Sequence, residues 1–343
     1  MPTYTPIYVR SPRLIEMSGV ANDSTKVELY IWNDPDSQPA SPTYTLSKPI
    51  PSTNITSAWY DISPYCREYI NHVSYAEVTD LTGADFDEYC YCTVMVYKND
   101  VLQSTNYYIA FDGFGYFEDG KNPSPITSFL VEGRYYVNET GNTGGLFYHN
   151  DQTATWEATY TGLTTGGSGT ITLTHEVGYI PYVFPTYAGE GNKLEIKKNS
   201  VVQATYYFEE VCEPKYTPLN CDFVNRYGQW QRIVMFKASR QSMEMSNTEY
   251  HLMPADVDYG LQDNRKQVFN VNGQRSIRCN TGWVLEGYKE AIKDLLLSEK
   301  VLIDDEPVKL KTKGVELFEH ITEKLINYEI EFDYSHNMLN YII

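Results

Sequence analysis

The stretch Ile326-Asn-Tyr-Glu-Ile-Glu-Phe-Asp-Tyr334 decides the fold class. Ile326, Tyr328, Ile330, Phe332 and Tyr334 recur at every second position, with Asn327, Glu329, Glu331 and Asp333 between them. That two-residue period predicts a strand with one face buried and the other in water. Upstream, Leu285, Tyr288, Ile292, Leu295 and Leu296 recur every three or four residues, which predicts a helix over 284–298. Glu286 and Glu290 sit early in it, with Lys289 and Lys293 on its polar side. Between helix and strand, Val301-Leu-Ile303 and Val308-Lys-Leu310 predict a hairpin turning through Asp304-Asp-Glu-Pro307. The expectation is an α+β region whose helix packs on the sheet through Leu285, Ile292, Leu295 and Leu296, with Tyr328, Ile330 and Phe332 opposite. No other helical pattern of this length occurs, so the chain is expected to be mainly β.

Moving outward, this C-terminal α+β region is expected over 216–343. It follows Cys212-Glu-Pro-Lys-Tyr-Thr-Pro218, whose prolines and lack of periodicity predict a linker or crossover. Arg226-Tyr-Gly-Gln-Trp-Gln-Arg-Ile-Val-Met-Phe236 reads as a turn and a strand. Val268-Phe-Asn-Val271 reads as another strand, with Asn272-Gly273 turning into Gln274-Arg-Ser-Ile-Arg-Cys279. A second β-rich domain is expected over 126–215, where a hairpin is predicted between residues 154–160 and 169–175, and another from Lys193-Leu-Glu-Ile-Lys197 to the strand at 201–208. The Gly-Gly-Ser-Gly run at 166–169 is followed by alternating Thr, Ile and Leu, which points to a hairpin tip; a phosphate cradle would need a helix there. A β-sandwich is expected over 1–125. Its strands are Lys26-Val-Glu-Leu-Tyr-Ile-Trp32 and a hairpin of Tyr89–Tyr97 with Thr105–Phe111 around residues 98–101. Ser63 is a candidate N-cap for a short helical turn, with Pro64 at its first position.

The chain has 343 residues, 42% hydrophobic and 14% aromatic, with 31 Tyr against 13 Phe. That is enough to bury two or three cores. Tyrosine can lay its ring on an apolar layer while its hydroxyl stays hydrogen-bonded, which suits strand surfaces and subunit interfaces. The net charge of −18 opposes a free nucleic-acid-binding surface, though an acidic lumen past which DNA slides is compatible with it. No 18-residue apolar run or signal peptide is present, so a soluble, non-exported chain is expected. The six cysteines, at 66, 90, 92, 212, 221 and 279, lack zinc-ligand spacing and are expected to be reduced; Cys212 and Cys221 are the pair that a short loop would bring together. The acidic clusters Asp85/Asp87/Glu88 and Asp304/Asp305/Glu306 lie in turn-like sequence and read as solvated turns in preference to cation sites. The histidines (72, 149, 175, 251, 320, 336) are scattered. Trp59, Trp156, Trp230 and Trp283 are candidates for stacking sugars, but sit where core packing is more usual. No catalytic, cofactor-binding or metal-binding residue is assigned, and neither an enzyme nor a cofactor is expected.

Five segments carry a resemblance: Cys212-Glu-Pro-Lys-Tyr-Thr-Pro218, Phe223-Val-Asn-Arg-Tyr-Gly-Gln-Trp-Gln231, Asn280-Thr-Gly-Trp283, Leu295-Leu-Leu-Ser-Glu-Lys-Val301 and Asn327-Tyr-Glu-Ile-Glu-Phe332. Together they are similar to the C-terminal half of tail proteins of tailed phages of gut Bacteroidetes, including the crAss-like phages. The resemblance covers roughly 190–343, and more loosely Ser11-Pro-Arg-Leu-Ile15 with Asp61-Ile-Ser-Pro64. It implies a virion structural protein of the tail, made in the host cytoplasm and assembled as a closed ring or adaptor layer below the portal. The expected partners are further copies of itself, other tail ring, portal or adaptor proteins, and phage DNA in passing, with no membrane. A carbohydrate-binding tail fibre or surface adhesin is the alternative. Residues 34–42 and 80–88 are expected to project as loops that gain order on a neighbouring subunit.

Overall fold

The alternating patterns are realised in a mainly β structure of many short sheets. In this computed structural model, the described residues are 3–33, 38–51, 54–123, 133–138, 144–151, 153–187, 190–211, 215–253, 260, 262, 265–314 and 325–339. They form two compact units. The first comprises Met1–Glu213, Asp222–Ile233 and Gly287–Glu299; the second comprises Pro214–Cys221, Val234–Glu286 and Lys300–Ile343. Among the described residues, no helix is long and apolar enough to cross a membrane.

The first unit begins with β1 (Thr5–Tyr8), β2 (Leu14–Ser18), β3 (Ser24–Trp32), β4 (Tyr44–Pro49) and β5 (Ser57–Asp61). These are followed by α1 (Ser63–Arg67), β6 (Thr82–Gly83), β7 (Tyr89–Lys98) and β8 (Val101–Phe111). One five-stranded sheet runs β1-β8-β7-β3-β4, and β2 pairs with β5. Val27, Leu29 and Ile31 of β3, Cys90, Cys92 and Val94 of β7, Ile15 and Met17 of β2, Tyr60 of β5 and Cys66 of α1 share one core, which makes the arrangement sandwich-like. Ser63 is not the helix cap: Ile62 holds that position without a side-chain bond, while the buried Ser63 hydroxyl donates to Ser11 O at 2.7 Å.

Next come β9 (Gly133–Asn138), β10 (Gly145–His149), β11 (Trp156–Gly162), β12 (Ser168–Thr172), β13 (Val177–Pro181), β14 (Asn192–Lys198) and β15 (Val201–Val211). Five of them form a sheet in the order β12-β11-β14-β15-β9, and the other two form one in the order β10-β13-β6. β6 therefore joins strands on both sides of the boundary expected near residue 125, and Tyr75 accepts from Gly145 N at 2.6 Å. Residues 1–213 fall in a single unit for that reason. The 80–88 loop is likewise held within its own chain by the β6–β13 pairing and by Asp87 O, which accepts from Asn71 N at 2.7 Å. Of the 34–42 loop, residues 34–37 lie outside the described residues.

The remaining elements are β16 (Leu219–Val224), β17 (Trp230–Met235), β18 (Arg240–His251), β19 (Lys266–Asn280) and β20 (Val284–Leu285), then α2 (Lys289–Leu296), β21 (Val301–Ile303), β22 (Glu306–Leu310), β23 (Leu325–Ile326) and β24 (Glu329–Asn337). In the second unit the sheet runs β21-β22-β24-β19-β18, with β18 at its edge. Ile330, Phe332 and Tyr334 of β24 are buried as their alternation requires. The predicted turn at Asn272-Gly273 is not made: β19 runs straight through it, Met245 faces Gly273, and a register shift falls just beyond.

Two segments cross between units along the chain. Residues 222–233 belong to the first unit, and so does α2. The helix is shorter than its sequence pattern, because Val284–Leu285 pairs with Leu325–Ile326. Its neighbours also differ from the expected sheet: the Tyr288 ring meets those of Tyr135 and Tyr136, Lys293 lies 4.2 Å from the Tyr116 ring centre, and Leu297 O accepts from Arg10 at 3.1 Å. Periodicity identified the buried stripe (Tyr288, Ile292, Leu295) but carries no information about what covers it.

Candidate functional site

Two regions stand out as candidate sites, one within each unit. In the first, residues 222–233 form a buried polar turn. Asn225 Oδ1 accepts from Tyr227 N at 3.0 Å and Gln229 N at 3.3 Å. Gly228 sits at φ 79°, where an added Cβ would fall 2.3 Å from Gly113 N, so only glycine fits. Arg232 donates to the fully buried Asp222 carboxylate through Nε at 2.7 Å and Nη2 at 2.8 Å, and its guanidinium lies 4.7 Å from the Tyr75 ring centre. Beside it, Tyr179 donates to Glu88 Oε2 at 2.7 Å. Burial is the main cause pushing the Glu88 carboxyl up to about 8, against the lowering effect of that hydrogen bond. A doubly bonded buried ion pair holds this turn in place, and the Tyr179 hydroxyl bridges Glu88 to it, lying 3.2 Å from Gln229 Oε1.

The second region is a two-stranded arm. All twelve residues of β18 are exposed, as are Lys266, Val268, Phe269 and Asn270 at the start of β19. Met243, Met245, Tyr250, Val268 and Phe269 are large apolar side chains left in water. At the arm's root lies an open groove of about 490 Å³, whose lining includes Tyr216, Lys237, Arg240, Arg278, Trp283 and Glu329. Trp283 is 57% exposed. Arg278 is engaged by Glu331 at 3.0 Å and Glu329 at 3.6 Å. Lys237 and Arg240 make no ion pair among the described residues.

The other residues singled out in the sequence are dispersed. Trp156 and Trp230 are buried, and Trp59 is half-buried under Lys121, whose Nζ is 3.7 Å from the ring. Asp304 and Asp305 form a two-residue turn with φ 46° and 67°, and Asp304 Oδ1 accepts from Asn220 N at 2.8 Å. In the Gly-rich hairpin, Glu190 takes the place an anion would occupy, accepting from Thr164 N and Thr165 N. His72 is buried against Gly228 O at 3.1 Å, His149 is half-buried, His175, His251 and His336 are exposed, and His320 lies outside the described residues. Cys66, Cys90, Cys92, Cys221 and Cys279 are buried, and Cys212 lies outside the described residues. The neighbouring Cys66 thiol and burial hold Cys90 and Cys92 above the ordinary thiol range. Among the described residues, no three His, Cys, Asp or Glu side chains gather as metal ligands would.

Sequence reasoning missed the arm. Arg240-Gln-Ser-Met-Glu-Met-Ser-Asn-Thr-Glu-Tyr-His251 has no two-residue hydrophobic period, because neither face of it packs on a core. Comparison of the chain with protein-family models, curated proteins and solved structures finds no match.

Proposed function

We propose that this chain is a structural component of a phage virion tail, one subunit of a closed ring below the portal that conducts DNA. The observation that carries this reading is the arm. Twelve consecutive residues of β18 are exposed, a length of about 40 Å at a strand's rise per residue. A free strand edge with bare Met and aromatic side chains is an aggregation hazard in a lone molecule, and one that assembly removes by pairing or covering it. Methionine suits such contacts because its flexible thioether adapts to the surface it meets. The resemblance of segments such as Phe223–Gln231 to phage tail proteins supports the setting, and the 31 tyrosines suit large, charge-poor contacts between neighbours. Mass photometry and cryo-electron microscopy of the purified chain test the proposal. Rings of one discrete copy number are expected, with each subunit contact burying more than about 1,000 Å². A chain that stays monomeric at all concentrations overturns it.

A second reading, a carbohydrate-binding fibre or adhesin, has one observation in its favour. A groove of about 460 Å³ in the first unit is lined by Tyr8, Phe114, Tyr116 and Tyr227 with Arg226 and Asn122, a combination of ring faces and polar groups suited to sugars. Glycan-array binding that is lost on Tyr116→Ala would favour it.

A further inference from the structure

The groove at the arm's root is cationic and aromatic in a chain of net charge −18. Lys237 and Arg240 make no ion pair among the described residues, and Trp283 beside them is more than half exposed. The first unit presents the complementary chemistry. Its Phe117-Glu118-Asp119 turn is a short 3-10 segment on which Phe117 is wholly exposed, an unusual position for a phenylalanine. The turn is pre-ordered. Asp119 Oδ2 accepts from Tyr116 N at 2.6 Å, and Gly120, at φ 72°, donates to Phe117 O at 3.2 Å. Asp119 is thereby occupied in holding the turn, which leaves Glu118 as the acid standing beside the bare ring.

We propose that the Phe117-Glu118 turn of one copy seats in the Lys237–Arg240–Trp283 groove of a second copy. Phe117 packs against Trp283 and Tyr216, and the Glu118 carboxylate meets Lys237 and Arg240. The occupant is a second copy because this chain itself carries the matching ring, Phe117, and beside it the matching charge, Glu118, for a groove lined by Trp283, Lys237 and Arg240. The groove's volume lies within the range of ordinary ligand pockets, and a turn that is already rigid costs little to order on binding. Peg and groove are different surfaces, so the contact is heterologous; it closes into a ring or propagates as a filament according to its rotation. This inference rests on the assembly reading above and names the surfaces that would make it.

The test uses the full-length chain, with mass photometry and sedimentation as readouts. Phe117→Ala and Trp283→Ala, each removing an exposed side chain, should leave the melting temperature unchanged and weaken assembly at least about 30-fold, as loss of an aromatic anchor does. Mixing the two variants should give pairs and nothing larger, because each pair retains one intact peg facing one intact groove. Glu118→Arg and the double change Lys237→Glu with Arg240→Glu should each abolish assembly, and all three substitutions together should restore it. If the wild type assembles and both alanine variants assemble equally well, the peg-in-groove contact is wrong while the assembly reading stands. A wild type that never assembles removes both. If dissociation follows Phe86→Ala, which removes another exposed ring of the first unit, but not Phe117→Ala, the peg has been misplaced and the proposal fails. It also fails if the Lys237/Arg240 reversal spares assembly and instead abolishes duplex-DNA binding by fluorescence anisotropy, since the groove would then be a phosphate site.

Discussion

β17 and β18 follow one another in the chain, yet β17 buries all six of its residues and β18 exposes all twelve. Hydrophobicity alone does not separate them. β17 includes Gln231 and Arg232, while β18 includes Met243, Met245 and Tyr250. The difference lies in available partners. Asp222 meets Arg232 with two charge-assisted bonds, and Asn225 Nδ2 donates to Gln231 Oε1 at 3.2 Å, so the Gln231 and Arg232 side chains of β17 are desolvated without being orphaned. β18 has β19 on one edge and no second neighbour among the described residues. A strand's fate is decided by what the rest of the fold offers it, and these two strands are the extremes within one chain.

The largest effect expected from breaking this contrast is at the buried pair. Arg232→Met takes the guanidinium partner away from the buried Asp222 carboxylate, and should cost about 3–5 kcal/mol. Adding Asp222→Leu should recover most of that loss, since an apolar replacement of a buried pair is often near neutral. Chemical denaturation of the single and double variants provides the measurement. A single variant as stable as the parent would show that the pair's geometry contributes nothing to the fold.

Leu295→Ala comes next. Leu295 is fully buried on α2, so a loss of about 2–5 kcal/mol is expected. Because α2 groups with the first unit, hydrogen exchange should rise across β9 and the 222–233 turn while β24 keeps its protection. Increased exchange centred on β24 would return the helix to the C-terminal sheet, where its sequence position had suggested it.

What α2 packs against marks the limit of what the sequence made legible. Local patterns were readable: β3 and β24 alternate as predicted. The hairpin tips Asn99-Asp100, Asn199-Ser200 and Asp304-Asp305 all take two positive φ angles, the turn that Asn and Asp tolerate best and that matches strand twist. Pairings between distant segments were not. β1 lies parallel to β8, β9 parallel to β15, and β6 antiparallel to β13, and no periodicity within one strand encodes its partner. Of the candidate groove, Trp283 was flagged as an aromatic that could stack on a ligand. Lys237 and Arg240 were not, because an unpaired cation looks the same in sequence as a paired one. Phe117 was missed for a related reason: its exposure is a property of the turn and cannot be read from the residue.

The pH dependence of the buried network is a smaller effect. Glu88 has its carboxyl raised to about 8, chiefly by burial, above the ordinary carboxylate value it regains on unfolding. The folded state therefore holds the proton more tightly, and this contribution to stability is fully present below about 4.5 and is lost as pH rises towards 8. Glu88→Gln should flatten the decline in melting temperature across that window and leave the variant more stable than the parent at pH 8. Parallel slopes for the two proteins between pH 5 and 8 would mean that Glu88 is not the group responsible.

The smallest stability effect is expected on the arm, and there the smallness is the point. Met243 and Met245 are 54% and 67% exposed, so replacing both with Gln removes almost no buried apolar area and should change folding free energy by no more than about 0.5 kcal/mol. Gln keeps the unbranched shape of Met and substitutes a hydrated amide for the thioether. If the arm is an assembly element, that exchange acts only where the side chains meet another subunit, and it should weaken association while the melting temperature of the dilute chain stays within a degree of the parent. The opposite pattern, a large loss of melting temperature with association unchanged, would mean that the arm is covered within its own chain. The contrast between β17 and β18 would then be one of degree, both strands being buried by partners inside the same molecule.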